Sequence, residues 1–126
     1  MHPPARPDST GAARAIVAIL ETRDLDSVDA AVAADYVDHQ GLGEREIRGR
    51  EGFREVVEAV HYYADVRVSV EDIVAERDMA AVRLRWHGAD ASGEQVIRET
   101  LDLLRFVDGR LAEHWGAELP KARARR

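Results

Sequence analysis

Near residue 65 the spacing of apolar residues changes from every third or fourth position to every second, and this switch divides the chain into a helical first half and a strand-forming second half. Before the switch, Ile16, Val17 and Leu20 predict a first helix over 12–22, with Asp8, Ser9 and Thr10 offering cap oxygens. Leu25, Val28 and Val32 predict a short second helix over 25–34, and Phe53, Val56, Val57 and Val60 a third over 50–63. Between them, residues 35–40 followed by Gly41, Gly43 and Gly49 predict a polar, exposed loop. After the switch, Val66, Val68 and Val70 alternate with Arg67, Ser69 and Glu71, and Val82, Leu84 and Trp86 with Arg83, Arg85 and His87. Two further strands, over 96–106 and 110–116, are joined by Asp108-Gly109, a pair suited to a hairpin turn with positive φ at both positions. Helices segregated from strands imply an α+β fold. Three helices pack on a curved antiparallel sheet of about four strands, which curls into a cone to bury both apolar faces.

At 126 residues the chain suits one domain. We place it at 9–120, between a disordered proline-rich arm (1–8) and a basic tail (121–126). No apolar run is long enough for a membrane span, and the first ten residues lack the hydrophobic segment of a secretory signal, so the expected protein is soluble and cytoplasmic, with no membrane partner. The net charge is −6 although the last six residues hold four cations, and so acidic a body disfavours nucleic acid. With no cysteine there is no disulfide, thiolate metal site or cysteine nucleophile. The five histidines show neither HxH nor HxxxH spacing, and the glycines before the third helix lack the Lys-Ser/Thr ending of a phosphate cradle. No metal and no cofactor are therefore expected.

A pocket follows from the hairpin. If 107 faces 110, then 104 faces 113 and 102 faces 115, which puts Asp102 beside Trp115 on a face shared with Arg98, Thr100, Leu104 and Phe106. One acid and one base on a mostly apolar surface suit a ligand site. The opposite face holds Glu99, Leu101, Leu103, Arg105 and His114 and is partly apolar too; the Trp115 face is the one expected inside. There Asp102 is the acid/base candidate, set against Trp115 and Trp86 where desolvation favours its protonated form, and Arg98 can polarise a substrate oxygen. His39, just past the second helix, is a candidate base or donor at the pocket mouth. The bland alternatives are a solvated Asp102–Arg98 pair and a His39 that only braces the Gly41 loop.

The chain resembles the SnoaL-like polyketide cyclase family, of the nuclear-transport-factor-2-like superfamily, from the first helix to Pro120. The resemblance is carried by Asp35-Tyr36-Val37-Asp38-His39, by Gly49-Arg50-Glu51-Gly52-Phe53, by residues 68–76 and 81–84, and by the run from Leu103 through Glu113-His114-Trp115-Gly116. It implies a cone of curved sheet around an apolar pocket, commonly in a homodimer, and cofactor-free closure of rings on a small polyketide-like molecule. Relatives of the fold include ketosteroid isomerases and limonene-type epoxide hydrolases. The cyclases usually carry an acid/base aspartate four residues beyond the tryptophan of Glu-His-Trp; here that position is Leu119, and Glu118 can replace the acid only if a bulge resets the strand. Where the family reads Gly-Thr-His-Thr-Gly and then a long loop, this chain has Gly88 to Gly93 and a short return. Tyr36, Tyr63, Trp86 and Trp115, with Phe53, Leu104 and Leu119, would wall a pocket for a flat polycyclic or terpenoid ligand. The expected function is cyclisation or isomerisation. The alternatives are epoxide opening by Asp102 and Arg98 with a second inward acid such as Glu113, or ligand binding without catalysis.

Overall fold

A computed structural model describes residues 8–43 and 45–121. The expected arm before Asp8 and the basic tail after Lys121 lie outside the described residues. Helix α1 (Thr10–Thr22) starts where the Asp8 carboxylate accepts a hydrogen bond from the Thr10 amide at 2.9 Å. It stops at Arg23, whose φ of 59° turns the chain out of the helix. Ala13, Ile16 and Val17 are its buried face. A 3-10 turn (Leu25–Ser27) leads into a single helical turn, α2 (Val28–Ala31), and α3 (Gly49–Val60) follows later. In α3, Phe53 and Val57 lie four residues apart on the buried face, and burying each stabilises the fold by roughly 1.5–3 kcal/mol. His61 ends that helix and ties it to α1, its Nε2 lying 2.8 Å from the Leu20 carbonyl.

Six strands form one sheet: β1 (Val32–Leu42), β2 (Arg45–Arg48), β3 (Ala64–Glu76), β4 (Met79–Ala89), β5 (Gln95–Val107) and β6 (Arg110–Glu118). Their order is β2-β1-β6-β5-β4-β3, parallel only between β1 and β6. The result is an α+β cone of helices on a curved, unclosed, mixed sheet. Helix α1 covers β3 and α3 covers β1. The core lies between these layers, with Tyr36, Val57, Val82 and Leu111 among its most enclosed side chains. No helix among the described residues is long and apolar enough to cross a membrane.

Three expectations need correction. The second helix does not reach residue 34, because Val32 already opens β1. The polar loop expected from Gly41 to Gly49 belongs instead, with residues 32–40, to the hairpin β1–β2, so among the described residues the sheet has six strands rather than about four, and its pairing is mixed. The third correction concerns register. Asp108 (φ 51°) and Gly109 (φ 77°) form the turn as expected, and Phe106 faces Leu111, but Arg105 then faces Glu113 and Asp102 faces Gly116. Ala112 is an extra residue in β6, a β-bulge in which Leu111 and Ala112 are both buried. Beyond it, every β6 side chain points to the face opposite to the one expected.

Candidate active site

The inner faces of the strands and the edges of α1 and α3 enclose a cavity of about 360 Å³. Its walls are largely apolar, with Val17, Val60, Leu84 and Leu104 among them. Polar groups gather along β5 and β6. Arg98, Thr100 and Asp102 alternate inward from β5, and His114 and Glu118 from β6. Tyr36, Tyr63, Trp86 and Leu104 line the cavity as well.

At its centre His114 bridges two aspartates. Its Nε2 lies 2.7 Å from Asp102 Oδ1 and its Nδ1 lies 2.9 Å from Asp38 Oδ1. Asp38 and Asp102 are both buried and the His114 side chain is only 14% exposed, so the three act on one another at low dielectric. Burial alone opposes charge on His114, but hydrogen bonds and attraction from the two carboxylates outweigh it and lift its pKa to about 9. At neutral pH the ring is an imidazolium donating from both nitrogens. Asp38 feels the converse: burial pushes its pKa up, while His114 and the Gly41 amide hold it below the usual carboxylate value.

Local sequence explains each position. Asp38 sits where the backbone folds over its own carboxylate, which accepts hydrogen bonds from the amides of Gln40 (3.0 Å) and Gly41 (2.9 Å). Gly41 has φ 61°, and a Cβ there would strike the Arg45 carbonyl, so the turn requires glycine. Asp102 Oδ2 accepts a hydrogen bond from the Thr100 hydroxyl at 2.7 Å, and Thr100 in turn accepts one from the Trp86 indole at 2.9 Å. Gly116 faces Asp102 across the strands. A Cβ on it would stand 2.6 Å from Asp102 Oδ1 and 2.9 Å from His114 Nε2 and would also meet the Gln40 carboxamide, so only glycine lets these groups converge. Tyr36, buried beside this cluster, is held protonated by burial and by the charge of Asp38.

Not all of the expected polar residues share the cavity. Asp102, Arg98 and Glu118 do, Glu118 because the reset register brings it opposite Thr100. Trp115, expected inside, and His39, expected at the pocket mouth, lie on the outer face, where their rings stack with centroids 5.1 Å apart. There His39 bridges Glu46 (3.1 Å) and Glu113 (2.6 Å), which raises its pKa, mainly through the Glu113 hydrogen bond. Glu113, the suggested second inward acid, therefore faces outward and pairs also with Arg105. Phe53 packs edge-on against Tyr36 in the core, and Leu119 only extends the sheet, its amide bonded to the Glu99 carbonyl; neither lines the cavity. Thr100 lines the cavity as its place on the inward face of β5 predicted, whereas Asp38, His114, Gln40 and Gly116 were not expected at the site. The available signal was the glycine after Glu-His-Trp, a position where a strand residue lacks a side chain and a neighbour can lie close.

The chain matches the sequence profile of the SnoaL-like polyketide cyclase family over residues 10–118. No curated protein sequence matches it. Among solved structures, IdmH from Streptomyces antibioticus, a candidate polyketide cyclase, superposes with TM-score 0.76 at 24% identity, over 87% of this chain and 91% of its own. An LEH-like epoxide hydrolase from M. tuberculosis superposes with TM-score 0.72 at 20% identity, over 87% and 81%. A Catenulispora acidiphila protein with a ketosteroid isomerase-like fold gives TM-score 0.73 at 16% identity, over 86% and 85%. At these identities the likeness is one of fold.

Proposed function

We propose, since the chain belongs to the SnoaL-like polyketide cyclase family, that it is a cytoplasmic acid/base enzyme that closes or isomerises rings in a small polyketide-like ketone without a cofactor. The observation that carries this reading is Asp102: a buried carboxylate, held by His114 and Thr100, that faces an apolar cavity of about 360 Å³. A carboxylate in such a place can take a proton from carbon next to a carbonyl. The electrons of that C–H bond move into an enolate. The enolate carbon then attacks a second carbonyl of the same molecule, and Asp102 returns its proton to the new alkoxide. Isomerisation is the same sequence with the proton returned to a different carbon. His114, charged and pinned by Asp38, is a positioning residue: it fixes the Asp102 carboxylate and balances its charge.

The test is exchange of the α-protons of a bicyclic ketone such as 1-tetralone in deuterated buffer, followed by NMR. Wild type should accelerate exchange, and Asp102→Asn should lose a factor of about 100 or more while still binding the ketone. Equal exchange in both proteins sinks the proposal; binding without any exchange makes the chain a ligand carrier. Epoxide opening is the second reading, favoured by a cation held between two carboxylates with Glu118 in the same cavity. Hydrolysis of cyclohexene oxide that depends on Asp102 would support it. We also propose that a second copy of the chain covers the outer face of β5 and β6, where Leu101, Leu103 and Trp115 are 48%, 40% and 36% exposed. A monomer in sedimentation at micromolar concentration would refute this.

A further inference from the structure

Arg98 stands apart from the other charged groups of the cavity. Asp102, His114 and Asp38 are locked into mutual hydrogen bonds, whereas the Arg98 guanidinium donates no hydrogen bond to any described residue. Glu118 Oε1 lies 3.8 Å from its Nε, too far for a hydrogen bond, and Tyr63 offers only its ring face, with the centroid 5.8 Å from Cζ. Both Arg98 and Glu118 are about half exposed, at 51% and 53% of their side chains, so this end of the cavity opens to solvent. The guanidinium thus has its N–H donors available to whatever enters, with the Tyr63 ring beside it.

The spacing to the acid/base group is set by the strand. Arg98 and Asp102 are four residues apart on β5 and both face inward, so their Cα atoms are about 13 Å apart. The register places Trp86 opposite Arg98 and Val82 opposite Asp102, with Leu84 between them. A ligand reaching from one polar end to the other therefore crosses an apolar wall.

We propose that Arg98 is a specificity-determining residue that binds a carboxylate on the substrate, at the end of a flat body of two or three fused rings whose reacting carbon lies at Asp102. A carboxylate matches the guanidinium fork with two parallel hydrogen bonds, which a neutral ester cannot form. Glu118, which faces the guanidinium at ion-pair distance without a hydrogen bond, competes for it and yields to a carboxylate that fits the fork better. The inference rests on the cavity being the substrate site, as proposed above, but its test needs no turnover.

The experiment measures, by calorimetry on the full chain, the affinity for 2-naphthoate relative to methyl 2-naphthoate. Wild type should prefer the acid by at least about tenfold. Arg98→Gln should bring the ratio close to one while keeping affinity for the ester, which also shows that the variant is folded. Glu118→Gln should raise the ratio by removing the competitor. A wild-type ratio near one, no binding of either compound, or a ratio that neither variant changes would overturn the assignment. Because proton exchange is not read, Arg98 can fail this test while Asp102 passes its own, and the reverse.

Discussion

His114 and His39 sit on neighbouring strands, each bridging two carboxylates, on opposite faces of one sheet. The groups are chemically alike and the distances similar, yet the surroundings differ. The side chain of Asp38 is 3% exposed and that of Glu46 is 40% exposed. On the inner face the groups are shielded from solvent and each charge depends on its partner; on the outer face of the single chain, solvent screens the same attractions and replaces a lost partner at little cost. Only the inner bridge can hold a carboxylate rigidly against an apolar cavity. The same three-residue device is therefore a site on one face and a surface ion pair on the other.

The largest effect expected from breaking this contrast is that of Asp38→Ala, which strands a buried imidazolium with one carboxylate and should lower stability by about 3–5 kcal/mol in urea unfolding. Glu46→Ala should move the midpoint far less, and equal shifts in the two variants would erase the distinction. The pH dependence should show the same asymmetry. The folded pKa of His114 is raised, to about 9, so its contribution is complete below about pH 6.5 and is lost as pH rises through 9. That loss is on the order of 3 kcal/mol. Asp38, whose pKa is lowered, contributes above about pH 4 and loses that contribution as the solution is acidified further. Unfolding followed from pH 3 to 10 should thus give a plateau between about 4 and 6.5 and a fall above it that His114→Gln abolishes. A profile flat up to pH 10 in wild type would contradict the charged inner bridge.

Gly116→Ala comes next, with an expected cost of about 1–3 kcal/mol and loss of ketone exchange, because the added methyl displaces Asp102 or His114. Ala117→Ser, one residue along on the outer face, serves as its control. The smallest effect belongs to Trp115→Ala. Losing the stack on His39 should cost about 1 kcal/mol and leave ketone exchange unchanged, since Trp115 does not line the cavity. Loss of exchange in this variant would place the outer face in the reaction and sharpen the comparison in the opposite sense.

These contrasts also mark where sequence reading succeeded. The change of apolar period located the helical and strand halves, and Asp108-Gly109 located the last hairpin, because both signals come from apolar burial and turn geometry that are local in sequence. β1 was hidden for the opposite reason. Its inward positions near the site are Tyr36, Asp38 and Gln40, so the strand that carries these polar groups breaks the apolar alternation that would reveal it. Val32 compounded this, since it continues the spacing of Leu25 and Val28 and also opens the strand. At the site, Asp102 and Arg98 were legible as inward polar groups on an apolar strand, and Glu118 only on condition of a bulge. Trp115 changed places with His114 because a β-bulge at Ala112 depends on packing across the sheet, which a count from the turn does not contain, and His39 with Asp38 because β1 was not recognised as a strand.

Ala112 behaves, in effect, like one inserted letter in a two-letter reading frame. Everything from Glu113 to Glu118 is parsed relative to it, and removing a single codon there would turn Glu113, Trp115 and Ala117 toward the cavity while His114, Gly116 and Glu118 turned out. The polar lining of the cavity can thus be rewritten without substituting any of its residues, which makes residues 111–112 a place where one inserted or deleted residue changes the site while the shape is kept.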